Sequence, residues 1–262
     1  MNMGKIALLA GIVVVVILIA AVGYYMLSGS GNPENELVAS INGSDYTYAE
    51  MKDEFGTETV DGKEGVPLDA IMADTNLANP ETQAYVLKSE DGYAMAVNWT
   101  AMQGGIVTLV EETDGDTGEE KSYLMSVFPG LPSAFKVKYL VEIEPKTGLI
   151  SVECNGIDYY LDYMPKKVEE KLIVYNSTYS PSGWSLSDMV NYTGLENPEI
   201  HEYTIVGYNA ADENPWYNKT VTWAGMLDGV LIEENTKTVF GESTEYDKKS
   251  YMVKFVNEII VE

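Results

Sequence analysis

The chain contains no arginine. Of its 262 residues 16 are basic, every one of them lysine, against 41 Asp and Glu. It has one histidine, His201, and one cysteine, Cys154. Each shortage removes a class of chemistry. Without guanidinium groups the chain cannot grip phosphate, sulfate or carboxylate through a bidentate fork. A zinc centre of the common His/Cys kind lacks ligands, and a Ser-His-Asp relay would depend on His201 alone. One cysteine leaves no intrachain disulfide. A formal charge of −25 argues against a nucleic-acid partner, which needs a basic surface. The same charge keeps an exposed surface soluble and repels it from anionic lipid headgroups.

What is present begins with one long apolar run. Ile6 to Met26 is 21 residues without a charge, which as a helix spans about 30 Å, the thickness of a bilayer core. Tyr24 and Tyr25 stand at its far end, where interfacial aromatics are expected. Lys5 precedes it, and a polar, acidic segment follows. The positive-inside bias therefore predicts a single-pass cell-membrane protein with a cytoplasmic N-terminus and an extracytoplasmic bulk. Residues 1–27 read as the anchor and 28–37 as a short flexible tether. A cleaved signal peptide, with Ala21-Val22-Gly23 as a small-x-small site, is the rival reading. Its apolar core would exceed the usual length, so the uncleaved anchor is favoured. Asn42, Asn98, Asn176, Asn191 and Asn218 each open an Asn-x-Ser/Thr triplet, compatible with a glycosylated external surface.

The rest of the chain repeats itself. Residues 98–112 read NWTAMQGGIVTLVEE and residues 222–234 read TWAGMLDGVLIEE. Asn42-Gly43-x-Asp45-Tyr46 recurs as Asn155-Gly156-x-Asp158-Tyr159, and Gly65-Val66-Pro67-Leu68 as Gly183-Trp184-Ser185-Leu186. Leu77-Ala78-Asn79-Pro80-Glu81 recurs as Leu195-Glu196-Asn197-Pro198-Glu199. Val137-Lys138-Tyr139-Leu140-x-Glu142-Ile143 recurs as Val253-Lys254-Phe255-Val256-x-Glu258-Ile259. The offsets run 113, 118, 124 and 116 with the order kept, and the drift falls in loop-rich stretches. Five blocks in one order predict a tandem duplication, 38–147 and 148–262, with Pro145-Lys146-Thr147-Gly148 as the turn between copies.

Within a copy the pattern is α+β, short helices decorating a mixed sheet. An Asn-Gly turn precedes a Tyr-rich strand, Asp158 to Tyr163. Val66 to Met72 and Gly183 to Val190 have helical spacing, the latter with Ser185-x-x-Asp188 as an N-terminal signal. Gln83 to Lys88 and Glu202 to Gly207 read as strands. The Trp phrases read as a short helix closed by Gly and followed by a strand, and the last block as a terminal strand.

The ordered blocks G-V-P-L-x-x-I-M, L-x-N-P-E, S-E-D-G-Y (Ser89 to Tyr93) and V-K-x-[LV]-x-x-I resemble the sulfite-oxidase-type molybdopterin-binding domain over most of each copy. The resemblance implies that the N-terminal transmembrane helix is followed by an α+β body of two tandem sulfite-oxidase-like mixed-sheet domains. In that family a cysteine just upstream of the G-V-P-L helix ligates molybdenum, and Arg and His hold the anionic cofactor. Here Phe55 to Glu64 and Ile173 to Ser182 carry no cysteine, Cys154 sits beside an Asn-Gly turn, and only Lys136 and Lys138 offer positive charge near the closing block. The fold is expected to be retained and the molybdenum chemistry lost.

Few other residues stand out. Asp114, Asp116, Glu119 and Glu120 crowd one loop as oxygen ligands for calcium would, with Asp114, Asp116 and Glu119 the candidate set. The spacing breaks the EF-hand pattern, so a solvated hairpin tip is the stronger reading. Trp99 and Trp223 read as core aromatics, with ligand stacking the alternative. His201 reads as an ordinary surface or sheet-edge residue. A pseudo-twofold pair of copies would leave a cleft for a ligand or partner. The expected protein is a membrane-anchored extracytoplasmic binding or accessory module. It has no catalytic residues and no cofactor, and its partners are the membrane and an unidentified protein, glycan or small molecule. The alternative is a molybdopterin-dependent oxidoreductase or electron-transfer subunit with Cys154 or a substitute on the metal. A cell-envelope structural protein is a third reading.

Overall fold

An Asn-Gly pair opens each half. Asn42 and Gly43 take φ of 49° and 80°, and Asn155 and Gly156 take the same values. Both residues at positive φ make the two-residue hairpin loop that matches strand twist, which is why Asn-Gly stands at both places. The computed structural model describes residues 32–262 apart from 114, 116–117, 177, 209–215, 243–244 and 247–248, and only the backbone of Tyr208, Trp216 and Tyr217. The expected membrane helix lies outside the described residues, and no helix among those described is long and apolar enough to cross a membrane. The part of the expected tether that is described ends in a helical turn, α1 (Pro33–Glu36). It is held to the body by a 2.6 Å ion pair between Glu34 and Lys52.

The chain is mixed α+β, four sheets with a few short helices. The first half runs β1 (Val38–Ile41), β2 (Ser44–Thr47), α2 (Tyr48–Phe55), β3 (Glu58–Val60), β4 (Lys63–Pro67) and α3 (Leu68–Asp74). It continues through β5 (Ala84–Ser89), β6 (Ala94–Asn98), α4 (Trp99–Gly104), β7 (Ile106–Thr113), β8 (Glu120–Val127) and β9 (Leu140–Lys146). The second runs β10 (Ser151–Cys154), β11 (Ile157–Tyr160), β12 (Glu170–Leu172), β13 (Ser182–Ser185) and α5 (Leu186–Tyr192). Then come β14 (Glu202–Tyr208), β15 (Trp216–Thr222), α6 (Trp223–Leu227), β16 (Gly229–Ile232), β17 (Lys237–Phe240) and β18 (Val256–Val261). Each half builds a five-stranded sheet, ordered β2-β1-β9-β5-β6 and β11-β10-β18-β14-β15. Each also builds a four-stranded sheet, β3-β4-β7-β8 and β12-β13-β16-β17.

Side-chain details recur along with the strand order. Asn79 and Asn197 take left-handed φ near 50° ahead of Pro80 and Pro198. The Tyr85 hydroxyl donates to Pro80 O at 2.9 Å, and the Tyr203 hydroxyl to Pro198 O at 2.6 Å. Trp99 lies against the Tyr85 ring at 5.5 Å, and Trp223 against Tyr203 at 5.8 Å. The repeated Trp therefore seals the repeated L-x-N-P-E turn onto the sheet.

Three boundaries differ from the sequence expectation. The G-V-P-L and G-W-S-L blocks are strand before they are helix, because α3 and α5 begin only at Leu68 and Leu186. The Tyr-rich strand stops at Tyr160, and Leu161–Tyr163 is a turn of 3-10 helix. The V-K-x block is not a strand throughout. Val137 and Val253 cross between the two sheets of their half, Tyr139 and Phe255 turn at φ 53°, and strand pairing resumes at Leu140 and Val256.

The glycine that opens each strand-to-helix block has a steric reason. A Cβ on Gly65 would lie 2.5 Å from Val107 O, and one on Gly183 2.6 Å from Leu231 O. Nothing larger than hydrogen fits without parting the strands. Gly65→Ala and Gly183→Ala should each cost about 1–3 kcal/mol, read as a lowered urea midpoint. An unchanged midpoint would mean that β4–β7 or β13–β16 separates freely.

Candidate functional site

The two halves meet through surfaces that are not each other's counterparts. Strand β6 of the first half packs on β11 and the 3-10 turn of the second. The counterpart of β6 is β15 and that of β11 is β2, yet β2 and β15 make no comparable contact among the described residues. A twofold pair would have to make both contacts, so the seam is heterologous and the expected pseudo-twofold cleft is not what forms. Apolar contact along it comes from Ala84, Val86 and Ala96 against Tyr160, Leu149 and Tyr163. Phe135 meets the Tyr159 ring edge-on at 5.9 Å. Lys146 donates to the Tyr163 hydroxyl at 3.0 Å, and Lys166 lies 3.5 Å from Asp91 and 4.8 Å above the Tyr93 ring.

A cavity of about 150 Å³ opens in this seam. Val97, Ala101, Pro129, Leu131, Phe135 and Ile157 supply apolar wall. Asn98, Thr100 and Asp158 supply the polar end. Asn98 ends β6 and caps α4: its Oδ1 accepts from the Ala101 N–H at 2.8 Å. The same side chain spans the seam, its Nδ2 donating to Asp158 Oδ2 at 2.6 Å. Tyr160, next to Asp158 in β11, has its hydroxyl pushed up to about 12 by burial, with the Asp158 charge adding to it. Asn98 is visible in the sequence as a glycosylation triplet and the start of a repeated phrase, and Asp158 as part of a repeat and of a Tyr-rich strand. Neither pattern tells which surfaces of the copies touch.

The residues singled out from sequence fall elsewhere. Trp99 and Trp223 are half-buried against the core, and neither lines the cavity. Asp114 and Asp116 lie outside the described residues, while Glu119 is exposed at the tip of the β7–β8 hairpin. Among the described residues no three acidic, His or Cys side chains cluster as a metal site would need. His201 sits just ahead of β14, a strand paired on both sides, with Nδ1 3.1 Å from Glu262 O at the end of the sheet. Lys138 lies 3.8 Å from Glu112 and 5.4 Å above the Tyr123 ring.

A molybdopterin does not fit the residues present. Ahead of Gly65 lies the β3–β4 hairpin with Glu58, Asp61 and Glu64 and a single cation, Lys63, the wrong balance for an anionic group. At Gly65 and Gly183 the backbone of the neighbouring strand fills the space a cradle would need. Cys154 takes the place that Ile41 holds in the first half, both wholly buried and each paired with an Ile of the neighbouring strand. Burial pushes its thiol up to about 12, so it is neither ionised nor accessible as a metal ligand.

Comparison of the chain with family models, with curated proteins and with solved structures finds no match.

Two predictions come from this geometry. Asn98→Ala should destabilise by about 2–3 kcal/mol, from the lost cap together with a broken hydrogen bond to a charged group. Asp158→Asn keeps the acceptor and should cost far less; equal losses in thermal unfolding would refute the bridge. The second concerns alkali. Burial pushes the Cys154 thiol and the Tyr85, Tyr160 and Tyr203 hydroxyls up to about 12. Folding therefore favours their neutral forms. The stability they lend is complete below about pH 7.5, where the unfolded groups are also protonated, and is lost as pH rises toward 12. The urea midpoint should hold between about pH 7 and 8 and drop by about pH 10–11; a midpoint that rises there would contradict this.

Proposed function

We propose that this is a membrane-anchored, extracytoplasmic binding or accessory protein. Its body is a tandem duplicate of a unit resembling the sulfite-oxidase-type molybdopterin-binding domain, working without molybdenum. The observation that carries the reading is the contrast between two places. Where the resemblance would put the cofactor, adjoining backbone closes on Gly65 and Gly183. Where the halves meet, a cavity of about 150 Å³ stands between apolar walls with a carboxylate at one end. The ligand site belongs to the seam, a surface that exists only because the unit is present twice. The anchor rests on the uncharged run Ile6 to Met26, and the orientation on Lys5 before it and the acidic segment after it.

Protein isolated from membranes of its native host should contain neither stoichiometric molybdenum nor a pterin, measured by elemental analysis and by fluorescence of the acid extract. On intact cells, added protease should degrade the body. Stoichiometric molybdenum with a pterin would establish the oxidoreductase reading instead. A body that resists protease until the cells are lysed would overturn the orientation.

A further inference from the structure

We infer that the seam cavity binds a small primary ammonium ion with an apolar tail, one per chain. The inference rests on the seam being the ligand site. Size sets the first limit. About 150 Å³ is the space that holds a molecule of benzene's size, about six non-hydrogen atoms.

The walls set the second limit. Val97, Ala101, Leu131, Phe135 and Ile157 have nothing to offer a polar body, so that part of the ligand is hydrocarbon. Charge sets the third. None of the lining residues is basic, and Asp158 is the one ionisable group among them. An anionic ligand would face that carboxylate with no basic group among the lining residues to offset it, which disfavours it. A neutral ligand would bring no counter-charge to Asp158, which is half-buried at the cavity's polar end. Asn98 satisfies only Oδ2, through a neutral amide, and Oδ1 of Asp158 accepts no hydrogen bond among the described residues.

A primary ammonium fits this end better than a quaternary one. Its three N–H donors suit the acceptors that line the cavity, the Asp158 carboxylate and the Thr100 hydroxyl. Quaternary ions are held by cages of aromatic faces, and Phe135 is the single aromatic wall here. The first half does not duplicate the site. Its counterpart of Asp158 is Asp45, which is exposed, and its counterpart of Ile157 is the exposed Ser44.

The test uses n-pentylammonium, 1-pentanol and pentanoate in turn, at about 0.15 M salt so that the acidic surface is screened. Binding is followed by amide chemical shifts of the whole folded body. Pentylammonium should bind with Kd on the order of 1 mM, as suits a ligand of about six atoms. The shifts should centre on Thr100 and Gly156. Pentanol should bind at least about tenfold more weakly, a difference of about 1.4 kcal/mol, and pentanoate not at all. Asp158→Asn, which keeps the Asn98 bond, should erase the difference between amine and alcohol. Ala101→Leu, which keeps the charge but fills the space, should weaken both. If the alcohol matches the amine, or Asp158→Asn binds both as the parent does, the ammonium class is wrong although the seam remains a ligand site. If no probe shifts the seam, or shifts scatter over the acidic surface, the seam reading falls as well.

Discussion

Each half is two sheets, and one short crossing ties them through a reciprocal pair of hydrogen bonds. In the first half Ser126 N–H donates to Val137 O at 3.1 Å while Val137 N–H donates back to Ser126 Oγ at 2.9 Å. In the second, Thr238 N–H donates to Val253 O at 2.9 Å and Val253 N–H to Thr238 Oγ1 at 3.0 Å. All four residues are buried. A hydroxyl here replaces the strand carbonyl that the crossing chain has left behind. Without it a backbone N–H would be stranded in the core at about 1–3 kcal/mol. Just beyond, the left-handed Tyr139 and Phe255 swing the chain into the five-stranded sheet. The segment leading up to this crossing, Pro129 to Phe135, is also what the second half packs on. The internal tie of one half thus furnishes the wall of the seam.

The charge inventory is resolved in a characteristic way. With no guanidinium to stack, the chain sets lysine ammonium groups over tyrosine rings, as at Lys52–Tyr48, Lys146–Tyr163, Lys166–Tyr93, Lys167–Tyr192 and Lys237–Tyr179. Such contacts are modest at exposed sites, about 0.5–1 kcal/mol. They let the lysine stem cover the ring while its head keeps water or a carboxylate. Lys88 between Glu142 and Glu144, at 2.9 and 3.0 Å, shows the second pattern. With 16 lysines for 41 acidic groups, most carboxylates have no cationic partner and must stay in water. Asp158, half-buried at the seam, takes a neutral amide, Asn98, as its partner.

The sheet-forming parts of the fold were legible because their signals are local. Asn-Gly gave both opening hairpins, and the β-branched runs gave β5 and β14 close to their ends. The capping pair Thr47 and Glu50, whose side chains and backbone bond reciprocally, marks α2 as plainly, though the duplication hides it because the second half has no such helix. Misplaced boundaries came from long-range demands. Val66 and Pro67 look helical by spacing, yet pair with Val107 and Ile106. Val137 reads as strand by composition, yet its partner is a serine hydroxyl. The seam was not legible at all, since a repeat shows which residues correspond and not which of them touch.

Why the seam is lopsided can be followed residue by residue. In the first half β2 is covered from within, Tyr46 meeting Phe55 of α2 edge-on at 5.9 Å. In the second half the place of α2 is taken by the 3-10 turn Leu161–Tyr163, too short to cover β11. Strand β11 accordingly carries Ile157, Tyr159 and Tyr160 where β2 carries Ser44, Tyr46 and Thr47. That apolar edge has to be buried, and the nearest chain able to do it is β6 with Phe135 behind it. One half has its own helix and a polar face; the other has no such cover and packs on its neighbour instead. The cavity lies where β6 and the Pro129–Phe135 segment meet β11. The cavity thus depends on a difference between the halves, since Ser44 and Asp45, the counterparts of Ile157 and Asp158, are exposed.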